Sequence, residues 1–270
     1  MSIKDSTRYI DAWEQTARST YALCEKLLNR DWERATDCPG WSVRDVVSHI
    51  IGLEREMLGE PTPEHHLPSD LVHIRSDTGR HMEIAVDRRR HHTPPEVLAE
   101  LAEVVERRFR DLRHGDTAPD TPVPSPLGTM PYERLLSMRV FDVWAHEQDI
   151  RRAVRQPGNL EGPAARLSRD VIVEALPRVV AKNSKAPPRS SVVFDVTGPE
   201  SFVRSVHVDE GGRGSLTHDL AFAPTTTLGM EWETFVRLAC GRVRPDRADV
   251  SVAGDERLAG RVMTAMVITP

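Results

Sequence analysis

Three side chains of this 270-residue chain have the types and spacing to share one metal ion: His49, Asp142 and His146. Asp142 and His146 stand four apart in a stretch of helical periodicity. At that spacing both project to one side, about 6 Å apart along the axis, within reach of a common ion. Asp149, three further on, falls on much the same stripe. His49 sits in the middle of a second helical stretch. Three ligands from two helices, with the fourth position left to water or substrate, is the layout of a catalytic zinc site. A mixed imidazole–carboxylate set also accepts Ni²⁺, Mn²⁺ or Fe²⁺. Spacing alone leaves a second reading open, in which Asp142 and His146 are a surface pair and His49 is a satisfied histidine of core or surface.

The elements that must carry these residues follow from apolar periodicity and its punctuation. Ile10, Trp13, Ala17, Tyr21, Cys24, Leu27 and Leu28 recur at helical steps, predicting a helix over residues 6–30. Cys38-Pro39-Gly40-Trp41 is a tight connection. Ser42, with Asp45 three residues on, resembles a capping box and opens a helix through Val46, Val47, His49, Ile50, Leu53 and Met57. Residues 60–70 read as loop and 71–90 as a third helix. A fourth starts at Pro94-Pro95, where proline suits a first turn, and ends at Gly115. Residues 116–130, rich in Pro, Thr and Gly, read as a long loop of the kind that is often functional. A helix over 131–154 then carries Asp142 and His146, with Leu135, Leu136, Met138, Val140, Phe141, Trp144, Ala145 and Ile150 on its apolar face.

Beyond Gln156-Pro157-Gly158 the pattern changes. Residues 164–180 look helical, 191–196 and 202–208 have the β-branched content of strands, and Gly211-Gly212-Arg213-Gly214 is a turn. Residues 227–240 return to helical spacing, 249–252 form a short strand, and 256–266 a last helix. A helical first half and a mixed second half predict two domains, residues 1–158 and 163–270, divided near Pro157 to Pro163.

Composition bounds the function classes. The chain is 39% hydrophobic and 29% charged, with a net charge of -5. That balance gives no footprint for a nucleic-acid partner, and the one dense basic cluster, Arg88-Arg89-Arg90-His91-His92, reads as a solvated helix end. No apolar run approaches the roughly 20 residues of a membrane-spanning helix. Met1 to Asp5 lacks the charge-then-apolar order of a secretory signal. Cys24, Cys38 and Cys240 are odd in number and widely spaced, which argues against a disulfide framework or a thiolate zinc cluster and suits a reducing cytoplasm.

Two motifs carry a family resemblance. Cys38-Pro-Gly-Trp-Ser-Val-Arg-Asp-Val-Val-Ser-His49 and Phe141-Asp-Val-Trp-Ala-His-Glu-Gln-Asp-Ile-Arg-Arg-Ala153 resemble the signatures of the mycothiol-dependent maleylpyruvate isomerase family. Asp195 to Pro199, Glu233 to Arg242 and Val252 to Asp255 are similar to its second domain. The resemblance implies an α plus α/β fold: an N-terminal DinB-like four-helix bundle that binds metal, followed by a smaller sterol-carrier-like α/β domain. It puts the family's metal ligands on His49, Asp142 and His146, with Asp142 standing one methylene shorter than the family's glutamate. It implies zinc or another divalent ion and mycothiol, a sugar–inositol conjugate of N-acetylcysteine, as thiol cosubstrate.

Such a site suits thiol chemistry, because a coordinated thiol is deprotonated at neutral pH. A thiolate that adds to an activated double bond and leaves after rotation isomerises it; one that stays makes an S-conjugate. The expected partners are therefore a small-molecule thiol and a small electrophile, with neither nucleic acid nor membrane. A ligating imidazole needs an acceptor behind it, and Asp45 or Asp149 could serve. The resemblance also implies an arginine from the second domain, with Arg237 and Arg242 as candidates and solvated helix-end arginines as the alternative. Cys38 reads as packing beside Trp41, and His65-His66 as chance neighbours in a Pro-rich loop. A competing function is a non-catalytic small-molecule binder built on the second domain; another is a metal-binding helper without activity.

Overall fold

Local capping decides where the first helices begin. The computed structural model describes residues 6–126, 128–218, 220 and 222–269; Met1 to Asp5, read above for a targeting signal, and Leu127 of the 116–130 loop lie outside them. Helix α1 spans Thr7–Cys24 and stops short of the predicted residue 30. Lys26 and Leu27 donate to carbonyls three residues back, and the Asp31 carboxylate accepts from Leu28 N–H to start a 3₁₀ turn over Asn29–Asp31. Helix α2, Val43–Met57, opens at Ser42 through the expected box: the hydroxyl accepts from Asp45 N–H and the Asp45 carboxylate from Ser42 N–H at 2.9 Å. Helix α3, Asp77–Asp87, is shorter than residues 71–90, because Ser76 caps it by accepting from Gly79 N–H at 3.0 Å. Helix α4 covers Pro94–His114 with proline in its first turn, and α5 covers Tyr132–Val154. Between them the predicted loop contains a small antiparallel pair, β1 (Pro122–Val123) and β2 (Met130–Pro131).

Four of these helices close a ring: α1 packs on α5, α5 on α2, α2 on α4 and α4 on α1, while α3 lies along α2. The core is apolar, with Trp13, Val47, Ile50, Ile51, Leu101, Val104, Val140 and Trp144 all at most 2% exposed. Helix α5 is the central element, and its buried residues include Arg139, His146, Glu147, Gln148 and Asp149 as well as the apolar set. Buried charge is tolerated only when paired. Glu147, for example, accepts from Thr16 at 2.7 Å, Ser19 at 2.7 Å, Arg151 at 2.8 Å and Asn159 at 2.6 Å.

Contacts divide the chain into two units, Met1–Ser168 and Arg169–Thr269, so the division falls within α6 (Pro163–Arg178). Pro177 removes a helical donor there, and the chain continues as a π turn over Val179–Asn183. The second unit is built on a five-stranded mixed sheet. Strands β3 (Ser191–Thr197), β4 (Phe202–Val208), β5 (Gly214–Thr217), β6 (Thr226–Glu231) and β7 (Ser251–Gly254) lie in the order β5-β4-β3-β6-β7. Neighbours are antiparallel except β3 and β6, which run parallel with Val192 opposite Thr226 and Val196 opposite Met230. One face buries Val192, Phe194, Val196, Val206 and Leu228, and helices α7 (Trp232–Ala239) and α8 (Glu256–Ala265) complete the unit. The helix predicted over 227–240 is therefore corrected: its first residues are strand β6, and helix begins at Trp232. Leu228 and Met230 are two apart, the strand period; pairing with β3 decides between the two readings. Among the described residues, no helix is long and apolar enough to cross a membrane.

Candidate metal centre

Three elements converge on one point of the helical unit. The Cys38–Trp41 turn closes with Trp41 N–H donating to Cys38 O at 3.1 Å and with Gly40 at φ +78°, where the His73 ring leaves no room for a Cβ. The capped start of α2 then places His49 two turns in, at 2% exposure. Helix α5 brings Asp142 and His146 on successive turns of its inner face.

His49 Nε2 lies 3.5 Å from Asp142 Oδ1, and His146 Nε2 lies 3.7 Å from the same oxygen. The two imidazole centroids are 4.7 Å apart and tilted by 68°. One donor atom from each of the three residues falls within 4.8 Å of the others. These separations exceed hydrogen-bonding distance but suit donors arranged about a common cation. Neither ring nitrogen of buried His49 has a hydrogen-bond partner, a costly condition for polar atoms. A cation at the centre of the three donors would satisfy Nε2.

The charge states match. Burial depresses the basicity of His49, with Asp142 opposing it and His146 and Arg139 adding to it, so the ring is neutral and has a free lone pair. Burial alone would raise the Asp142 carboxyl, but Arg139, His146 and His49 outweigh it and hold the group well below the carboxylate range. His146 is oriented from behind: its Nδ1 lies 3.1 Å from Asp149 Oδ2, and Asp149, 0% exposed, also accepts from Arg152 at 2.6 Å. A carboxylate only accepts, so Nδ1 carries the proton and Nε2 is left to face the site. Of the two acceptors expected from spacing, Asp149 thus contacts a ring. Asp45 instead caps α2 and accepts from Arg90 at 3.3 Å.

Trp41 forms a wall, its ring centroid 4.9 Å from His49 and 5.9 Å from His146. Its Nε1–H donates to Glu83 at 2.9 Å, and Glu83, 1% exposed, also accepts from Arg90 at 2.6 Å and contacts His73 at 3.1 Å. The Arg88 to His92 cluster is therefore corrected. Arg89 is buried and paired with Glu100, and Arg90 ties Glu83, Asp45 and Asp87 together, leaving Arg88 and His91 as the exposed members. His65 contacts Asp87 at 2.6 Å, a local pairing of a loop with α3.

Sequence reasoning missed Arg139 and Glu54. Arg139 Nη1 donates to Asp142 Oδ2 at 3.0 Å, while Nε and Nη2 both donate to Glu54 Oε1, at 3.0 and 2.6 Å. The i, i+3 spacing of Arg139 and Asp142 was a usable signal. Nothing local marks Glu54, which reads as one more helix acid. Cys38 and Cys24 are buried and free of disulfides, and burial pushes the Cys24 thiol up to about 12. Arg237, in the last turn of α7, and Arg242, whose Nη1 donates to Cys240 O at 2.7 Å, belong to the α/β unit.

Residues 13–151 match the mycothiol maleylpyruvate isomerase N-terminal domain, and residues 166–261 match the MDMPI C-terminal domain. No curated protein matches the chain. Two solved structures share its fold, each covering 93% of this chain and 95% of its own at 15% identity. They are a mycothiol-dependent maleylpyruvate isomerase, with a TM-score of 0.55, and a histidine-to-alanine mutant of a mycothiol-dependent maleylpyruvate isomerase, with 0.56. The chain belongs to the mycothiol maleylpyruvate isomerase family.

Proposed function

We propose that this family member is a metal-dependent enzyme that uses a small-molecule thiol, mycothiol, to isomerise or S-conjugate a small electrophile. Its ligands are His49, Asp142 and His146, holding zinc or another divalent ion. The observation that carries this reading is the convergence of three donors from two helices within 4.8 Å, one of them a buried histidine with no hydrogen-bond partner. Family membership supplies the thiol.

A divalent ion held by His49, Asp142 and His146 would supply the Lewis acidity that favours the thiolate form of a small-molecule thiol at neutral pH. The chain's own residues do the rest. Neutral His49 and ionised Asp142 offer their lone pairs without first losing a proton. Asp149 keeps the His146 proton on Nδ1. The Trp41 indole, pinned by Glu83, covers the imidazoles on one side and limits water there. Arg237 or Arg242 provides positive charge for an anionic substrate. Addition of the thiolate would form a C–S bond and open the C=C π bond. Expulsion of the thiolate after rotation restores the double bond as the isomer, and uptake of a solvent proton at the adjacent carbon gives the conjugate, so product analysis separates the two.

The test is to purify the protein, measure bound metal, and assay a reporter electrophile with thiol, with and without His49→Ala. Stoichiometric metal in the wild type and loss of both metal and thiol-dependent turnover in the variant are expected. Metal retained by the variant at wild-type stoichiometry would remove the assignment.

A further inference from the structure

We infer that Arg139 and Glu54 are positioning residues which turn Asp142 into a single-oxygen ligand and couple it to the helix that carries His49. The inference rests on the metal-site reading above, and it concerns two residues that touch none of the candidate donor atoms facing the site.

Arg139 is 6% exposed and Glu54 is 0% exposed, whereas the Asp142 side chain retains 25%. The guanidinium is shared between the two carboxylates. Its Nε and Nη2 edge rests on Glu54 Oε1, and Nη1 takes Asp142 Oδ2 at 3.0 Å. Glu54 is itself held, accepting from Trp13 Nε1 at 3.1 Å and lying 3.3 Å from Arg108 Nε through its other oxygen. Asp142 Oδ2 is thereby engaged, and Oδ1 is the oxygen that faces both imidazoles. A carboxylate can offer one oxygen or two; here the second is occupied by a fixed donor, which also draws charge from the ligand.

Glu54 lies on α2 five residues after His49, and Arg139 lies on α5 three residues before Asp142. The pair therefore joins the two ligand-bearing helices beside the donors. As a stabilising device alone it is a poor choice, since desolvating two charges offsets much of their attraction and apolar residues of similar size often serve as well. A fork that reaches Glu54 with one edge and Asp142 with the other does what an apolar pair cannot: it sets a carboxylate's rotation.

The test uses the full-length protein and Zn²⁺ affinity measured by chelator competition. The variants are Arg139→Lys, Glu54→Gln, their combination, and His49→Ala as the ligand control. Lysine keeps the charge beside Glu54, so the fold is retained, but it cannot span both carboxylates; glutamine keeps an acceptor for Trp13 and Arg139. Arg139→Lys is expected to weaken Zn²⁺ by roughly 10–100-fold, the usual cost of losing an outer partner of a ligand, and Glu54→Gln, which keeps the acceptor but removes the charge that anchors the guanidinium, by less. The double variant is expected to bind no more weakly than Arg139→Lys, because Glu54 acts through the guanidinium. The visible ligand-field bands of the Co²⁺-loaded protein should shift in Arg139→Lys, where the second oxygen is released; a merely structural pair would leave them unchanged. Folded single variants with wild-type affinity and spectrum, while His49→Ala abolishes binding, would overturn this inference and leave the metal site standing. Additive losses in the double variant would overturn the Glu54 relay. Wild-type protein that binds no Zn²⁺ would overturn the site itself.

Discussion

Replacing His49 by leucine should make the metal-free protein more stable while abolishing its response to metal. His49 is 2% exposed and neither ring nitrogen has a hydrogen-bond partner. A neutral imidazole has one donor and one acceptor, and each buried unsatisfied group costs about 1–3 kcal/mol. Leucine removes both penalties and has nearly the volume of histidine, so repacking should cost less than about 1.5 kcal/mol. Some attraction to Asp142 Oδ1 is lost, but at 3.5 Å from a quarter-exposed carboxylate it is small. The balance favours the variant by about 0.5–6 kcal/mol, and for a domain of this size each kcal/mol moves Tm by about 2–4 °C. Thermal unfolding in excess chelator should therefore rise by several degrees. With a divalent ion at a hundred times its dissociation constant, the wild type should gain about 2.7 kcal/mol and the variant nothing. A leucine variant less stable than wild type in chelator would refute the reasoning, because the nitrogens would then be making favourable contacts without metal. A variant stabilised by metal as much as wild type would refute it from the other side.

The same histidine predicts a pH response. Its folded basicity is depressed chiefly by burial, so the unfolded chain binds the extra proton first, and metal-free stability falls as pH drops below about 6.5. Denaturant midpoints in chelator, compared between about pH 7 and pH 5, should fall more steeply for wild type than for His49→Leu; equal slopes would contradict the assignment. At Gly52 of α2, a Cβ would stand 2.2 Å from Ala85 Cβ of α3, so Gly52→Val must push the helices apart. A loss of about 1–3 kcal/mol in denaturant unfolding is expected, and the summed emission of the five tryptophans should change through Trp41 as Glu83 moves with α3; an unperturbed protein would show that the approach of these helices is not needed.

Much of the bundle was legible because its signals are local. Ser42 with Asp45 marks the start of α2, proline that of α4, and the i, i+4 spacing of Asp142 and His146 puts both on one face of α5 wherever that helix packs. Periodicity was less informative where a competing partner intervenes. Ser76 takes the third helix's cap and shortens it, and Asp31 draws the chain out of α1 into a 3₁₀ turn.

What the sequence determined by itself is the set of elements that cap and pattern themselves, and the candidate donors they carry. What only the tertiary structure decided is partnership. That Asp149 rather than Asp45 stands behind a site imidazole, that Arg89 is buried and Arg90 paired with Glu83, that Glu54 meets Arg139, and that residues 226–231 pair with β3 instead of opening a helix all depend on groups distant in the chain. A side chain's spacing fixes which way it points from its own helix or strand. Whether it meets water, an opposite charge or a neighbouring backbone is set by what the fold brings across, and that energy decides whether a charge is surface decoration or part of a centre.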